Sequence, residues 1–203
     1  MISSTIYYLF KFLGLFFPMQ RNIYIKNISF FSGSVQVDLQ KFIGKAFMLR
    51  PFSSRQLFLH ERKFEVWADK FDGSKAFLKD ASFLIVVGLA GQGVSFRLAA
   101  DPKRYIRHRN EKLYMDVNDN SALFKKDASF QIRYGLGATN GQFGISFESV
   151  NYPGHFISLS MKLPARGMLA KLTNSAAFKT LSTFEPVVGS VQNLKMKKCV
   201  FCT

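Results

Sequence analysis

The sequence predicts an all-β fold, a β-trefoil of three repeated four-strand subdomains, and three observations support this. A phrase rich in Asp, Ser and Phe returns three times along the middle of the chain. Short runs between its copies alternate apolar and polar residues, the period-2 pattern of half-buried strands, and are punctuated by turn residues. The chain also holds 23 Phe against 1 Trp in 203 residues, and many of these Phe recur at matched positions, as a repeated core requires.

Residues 1–44 precede the repeats as a hydrophobic extension. Its apolar stretch, Ile6 to Phe17, is short for a membrane span of roughly 20 residues and carries Lys11 near its centre. It lacks the basic start and small-residue cleavage site of a standard signal peptide. Secretion, with an extracellular location, a buried or interfacial segment, and an anchor all stay open for it.

Residues 45–190 contain the copies. Asp72-Gly-Ser-Lys-Ala-Phe-Leu-Lys-Asp-Ala-Ser-Phe83 returns 47 residues later as Asp119-Asn-Ser-Ala-Leu-Phe-Lys-Lys-Asp-Ala-Ser-Phe130. A third copy, Thr173-Asn-Ser-Ala-Ala-Phe-Lys-Thr-Leu-Ser-Thr-Phe184, follows at a shift of 54 and has lost both acids. A second landmark pairs Val94-Ser-Phe-Arg97 with Ile145-Ser-Phe-Glu148. In the second copy, Arg104–Arg109 and Lys112–Asp116 read as strands joined by a turn at Asn110-Glu111. The group Asn118-Asp-Asn-Ser121 makes another turn, and Ser129–Arg133 reads as a further strand closed by Gly135 and Gly137. No long window keeps a helical period, so helices are not expected. Propellers typically need at least four blades, and three copies instead suit a threefold barrel. Phe77, Phe124 and Phe178 form one expected core set, and Phe83, Phe130 and Phe184 another.

Residues 191–203 form a basic tail ending in Cys199 and Cys202. A lone C-x-x-C offers two of the four ligands that a structural zinc site needs, and leaves no room for the helix of a redox motif. No metal or cofactor is called for.

Several phrases in series, Phe64-Glu-Val-Trp-Ala-Asp69, Tyr105-Ile-Arg-His-Arg-Asn110, Asp119–Phe130 and Ile145-Ser-Phe-Glu-Ser-Val-Asn-Tyr-Pro-Gly154, resemble the arabinose-binding domain of α-L-arabinofuranosidase B. The resemblance covers roughly residues 45–190. It implies a β-trefoil carbohydrate-binding module whose subdomains hold terminal arabinofuranose of arabinoxylan or arabinan, commonly attached to a glycoside hydrolase. It also implies a pocket built on the His of R-H-x-N and the Asp of D-A-[TS]-F. The second copy keeps both as His108 and Asp127, with Tyr105, Arg109 and Asn110 as neighbours. A carboxylate accepting sugar hydroxyls beside an imidazole that donates or accepts suits such a ligand. The competing structural reading makes Asp127 a turn residue and leaves His108 exposed on a strand.

The first copy keeps Asp80, but the 47-residue offset carries His108 onto Glu61, with His60 one position early. His60 can join Asp80 only if a bulge absorbs the slip. In the third copy Leu159 and Leu181 occupy the two positions, and that pocket is expected to be dead. His155 falls at the Arg104 position and reads as a surface residue.

No pair of carboxylates reads as a glycosidase acid and base, since the acids cluster in turn phrases. The 44 leading residues are too few for a catalytic domain. The chain is therefore expected to be a non-catalytic monomer, and an arabinofuranosidase label would be inherited from the domain name. The net charge of +15 supports an alternative, a scaffold gripping a polyanion or a protein partner through a basic surface, with the densest run from Lys103 to Lys112.

Overall fold

The computed structural model describes residues 41–139 and 142–188. Most of the N-terminal extension and the whole C-terminal tail, with Cys199 and Cys202, lie outside the described residues.

The described chain runs through one element pattern three times: three strands, a helix of six residues, and a fourth strand. The first copy holds β1 (Ala46–Pro51), β2 (Leu57–Arg62), β3 (Glu65–Lys70), α1 (Lys75–Asp80) and β4 (Phe83–Val87). The second holds β5 (Val94–Leu98), β6 (Arg104–Arg109), β7 (Lys112–Val117), α2 (Ala122–Asp127) and β8 (Phe130–Tyr134). The third holds β9 (Ile145–Ser149), β10 (His155–Leu159), β11 (Ala165–Lys171), α3 (Ala176–Leu181) and β12 (Phe184–Val188). All strand pairings are antiparallel.

The first and last strands of the copies close a ring. β1 pairs with β4, β4 with β5, β5 with β8, β8 with β9, β9 with β12, and β12 returns to β1. The middle strands form hairpins, β2–β3, β6–β7 and β10–β11, and β3, β7 and β11 meet one another pairwise over one end of the ring. Closing a sheet on itself removes exposed strand edges. Phe83, Phe130 and Phe184 are fully buried and join Phe47, Val94 and Ile145 in the core. The other expected Phe set is less uniform. Phe77 and Phe124 are buried, whereas Phe178 is half-buried, because α3 turns no residue fully inward.

The three helices correct the expectation of a helix-free chain. Each begins at the recurring Ser of the repeated phrase. The hydroxyls of Ser74, Ser121 and Ser175 accept the backbone N–H of Phe77, Phe124 and Phe178 at 3.0–3.1 Å, an N-cap in each case. The carboxylates of Asp72 and Asp119 accept the backbone N–H of Ser74 and Ser121. Hydrogen bonding to Ser74, through its backbone first, and to Ser121, through its side chain first, holds both acids below the usual carboxylate range. One and a half turns are too short to be stable alone, and tertiary packing supplies the rest. The length also explains why no helical period shows in the sequence.

Candidate functional site

β6 and α2 bring the expected pair together. β6 alternates, so Ile106 and His108 face inward while Tyr105, Arg107 and Arg109 lie on its other face. α2 ends at Asp127, which packs against the same strand. His108 is 4% exposed and Asp127 6% exposed, so neither is a free surface group. His108 Nε2 stands 3.7 Å from Asp127 Oδ1, beyond direct hydrogen bonding.

Asn151 fills that gap. Its Nδ2 donates to Asp127 Oδ1 at 2.8 Å, and its Oδ1 lies 2.9 Å from His108 Nε2. A carboxylate accepts only, so the amide must turn its nitrogen to Asp127 and its oxygen to His108. His108 Nε2 then carries the proton. Ser149 Oγ donates to Asn151 Oδ1 at 2.9 Å and lies 3.1 Å from the same imidazole nitrogen. The Tyr152 ring meets the imidazole edge-on at 5.2 Å and is itself half exposed. The site thus joins a buried carboxylate, a neutral imidazole, an amide and an accessible aromatic ring.

The electrostatics agree with this protonation. Burial pushes the His108 pKa below the usual histidine range, and Arg107 and His155 act in the same direction. The Asn151 hydrogen bond and the Asp127 charge oppose it without reversing it. Arg107 also flanks Asp127, with Nη2 3.7 Å from Oδ2, and lies over the Phe124 ring.

Ser149, Asn151 and Tyr152 belong to the third copy, so the site spans a copy boundary. The ring pairing β5–β8–β9 causes this, since Phe130 is paired with Ser149 and β9 runs out beside α2. The phrase Ser149-Val-Asn-Tyr-Pro carried family resemblance in the sequence, but without tertiary structure it read as a landmark of its own copy.

The remaining expected residues are placed differently. Arg109 pairs with Asp116 at 3.8 Å and stacks on Tyr114 at 4.3 Å. Tyr105 is half-buried opposite Asp116. Asn110 occupies the hairpin turn at φ 49°. None of the contacts among the described residues ties these three to His108 or Asp127.

In the first copy, β2 and β3 pair without interruption from Leu57↔Lys70 to Arg62↔Glu65, so the bulge that His60 needs is absent. His60 takes the place of Arg107 and lies on the opposite strand face from the His108 position. Its Nε2 bonds Asp69 at 2.8 Å rather than Asp80, and its ring stacks on Phe77, the counterpart of Phe124. Glu61 holds the His108 position. Burial raises the Asp80 pKa, with the Glu61 charge adding to the rise and His60 opposing it. Ala100, two residues beyond β5, stands where the second site has Asn151. In the third copy, the pairing of Leu159 with Gly167 matches that of His108 with Leu113, and Leu159 is buried. Leu181 packs against the core there.

The basic run is largely engaged. Arg104 pairs with Asp101, Arg107 with Asp116 and Asp127, and Arg109 with Asp116. Among the described residues no group of three or more His, Cys, Asp or Glu is placed to hold a metal ion.

Comparison with solved structures gives the same architecture. A GH54 α-L-arabinofuranosidase soaked with 4-nitrophenyl α-L-arabinofuranoside is 25% identical, with a TM-score of 0.62, over 72% of this chain and 31% of that one. An arabinofuranosidase complexed with arabinofuranosyl-α-1,2-xylobiose is 26% identical, with a TM-score of 0.62 and the same coverage of both chains. The cytolethal distending toxin of Actinobacillus actinomycetemcomitans shares the fold at 13% identity and a TM-score of 0.56, over 75% of this chain and 97% of that one. The chain spans about a third of the length of the arabinofuranosidases it matches. No curated protein matches it by sequence. The model of the alpha-L-arabinofuranosidase B (ABFB) domain matches residues 46–132 and again 120–199, most of the chain, and with the repeated architecture this establishes that the chain belongs to the ABFB domain family.

Proposed function

We propose that this chain is a non-catalytic carbohydrate-binding module whose site at His108 and Asp127 receives a terminal arabinofuranosyl group, as found on arabinoxylan or arabinan side chains. The observation that carries the reading is the convergence of His108, Asp127 and Asn151 beneath the accessible Tyr152 ring. A furanose hydroxyl can donate to Asp127 and, by displacing the Asn151 oxygen, accept from His108 Nε2, while the ring covers an apolar face of the sugar. The solved relative complexed with arabinofuranosyl-α-1,2-xylobiose supports the choice of sugar.

We read the ring and its three hairpins as a β-trefoil and residues 45–190 as one domain, a reading supported by the threefold element order. In this view the second copy holds the working site. Glu61 with Ala100 at the first copy's site, and Leu159 with Leu181 at the third's, cannot reproduce its donors and acceptors. The arabinofuranosidase activity of the longer relatives is not assigned to this chain.

Calorimetric titration with arabinofuranosyl-xylobiose tests the proposal. Saturable binding at a single site, lost in Asp127→Ala, is expected. Absent binding, or binding that Asp127→Ala leaves unchanged, would refute it.

A further inference from the structure

Arg107 is an enclosed arginine that the fold leaves short of hydrogen bonds. Arg50, Arg62, Arg104, Arg133 and Arg166 each donate to a carboxylate at hydrogen-bond distance. The Arg107 side chain is more enclosed than any of these, at 14% exposed, yet it makes no hydrogen bond among the described residues, and its Nε is buried without a partner. Asp116 Oδ2 lies 3.6 Å from that Nε and Asp127 Oδ2 lies 3.7 Å from Nη2, close enough for charge attraction and too far for a hydrogen bond. A buried donor left unpaired is costly, and in a native fold it calls for a reason.

The unpaired guanidinium borders the candidate site. Arg107 and His108 leave β6 on opposite faces, and the Asp127 carboxylate stands between them, with Oδ1 3.7 Å from His108 Nε2 and Oδ2 3.7 Å from Arg107 Nη2. Asn151 bridges the first gap. No side chain among the described residues bridges the second. An oxygen that joins the two groups there must accept from the guanidinium and donate to the carboxylate, so it belongs to a neutral hydroxyl. An anionic group would meet Asp127 with like charge. In the first copy His60 stands in the place of Arg107, stacks on Phe77 and bonds Asp69 rather than Asp80.

We propose that Arg107 determines which sugar the site accepts: its Nη2 and Asp127 Oδ2 together take one hydroxyl of a furanose, while Asp127 Oδ1 and His108 take the adjacent one. The inference rests on the reading of this site as an arabinofuranosyl site and deepens it. In an arabinofuranosyl group the adjacent pair is the 2- and 3-hydroxyls, so the site selects a terminal residue in which both are free. A sugar lacking either one leaves a buried polar group unmatched.

NMR titration of the full-length protein with methyl α-L-arabinofuranoside and its 2-deoxy and 3-deoxy analogues tests this. The proteins compared are the wild type, Arg107→His, which copies the residue the fold already carries at position 60, and Arg107→Met. The wild type is expected to bind each deoxy sugar about tenfold or more weakly than the parent sugar. Both variants should bind the parent more weakly by a similar factor and should no longer distinguish it from one of the deoxy sugars, while they still reject the other. Circular dichroism checks each fold; where one variant loses its strands, the other variant and the wild-type comparison decide. Wild-type indifference to either hydroxyl, unchanged affinity in the variants, or a loss equal for all three sugars would overturn the role of Arg107 and leave the sugar site standing. Failure of the wild type to bind the parent sugar would instead refute the site, and this inference with it.

Discussion

Asn151 donates to Asp127 at 2.8 Å across the boundary between the third and second copies, and through its oxygen it also fixes the proton on His108. One amide therefore sets both the charge contact and the tautomer of the candidate site. Asn151→Ala is expected to weaken sugar binding about tenfold or more and to destabilise the fold by about 1–3 kcal/mol, because it strips a partner from a buried carboxylate. Calorimetry and urea unfolding measure the two effects.

His108 gives the fold a pH dependence. Its pKa in the folded chain is depressed, so the unfolded chain binds more protons as pH falls through the ordinary histidine value of about 6.5. Its contribution to stability is complete above that value and declines below it, until the folded-state pKa is passed. Urea midpoints should fall between pH 7.5 and pH 5, and His108→Gln should flatten that part of the slope.

Gly93 and Gly91 separate two kinds of glycine requirement. Both have positive φ, but a Cβ on Gly93 would meet the Phe130 carbonyl oxygen at 2.3 Å, whereas one on Gly91 meets nothing within 4 Å. Gly91→Ala should cost about 1–2 kcal/mol from backbone strain alone. Gly93→Ala should cost clearly more, since β5 must move away from β8. Thermal denaturation of the pair reads the difference.

Ser121→Ala removes the N-cap of α2 and should lower stability by about 1 kcal/mol. Because α2 delivers Asp127, sugar affinity should fall as well, while Ser175→Ala at α3 should lower stability without changing affinity.

Binding of a neutral sugar should vary little between 50 mM and 200 mM salt, whereas capture of a polyanion would weaken steeply. The pairing of Arg107 and Arg109 with Asp116 leads us to expect the flat response. A titration series at rising salt measures it.

The sequence made the copies legible because the repeated phrase combines a cap serine, a core phenylalanine and an acid at fixed spacing. The 47-residue offset placed His108 opposite Glu61, and the uninterrupted pairing of β2 with β3 preserves that register. The six-residue helices escaped notice because they are shorter than two helical periods. Asn151 and Tyr152 escaped it for another reason. Their partners lie in the preceding copy, and it is the pairing of β8 with β9 that brings the end of β9 beside β6 and α2.

That shared boundary has a consequence for how such a chain can be cut or rebuilt. The third copy has lost the histidine and acid of its own site, yet it supplies the amide, hydroxyl and ring that complete its neighbour's. A fragment ending after β8 would keep both His108 and Asp127 and still lack a finished binding site. The copies are interdependent parts, and the one that has lost the histidine and acid completes the candidate site of the one that keeps them.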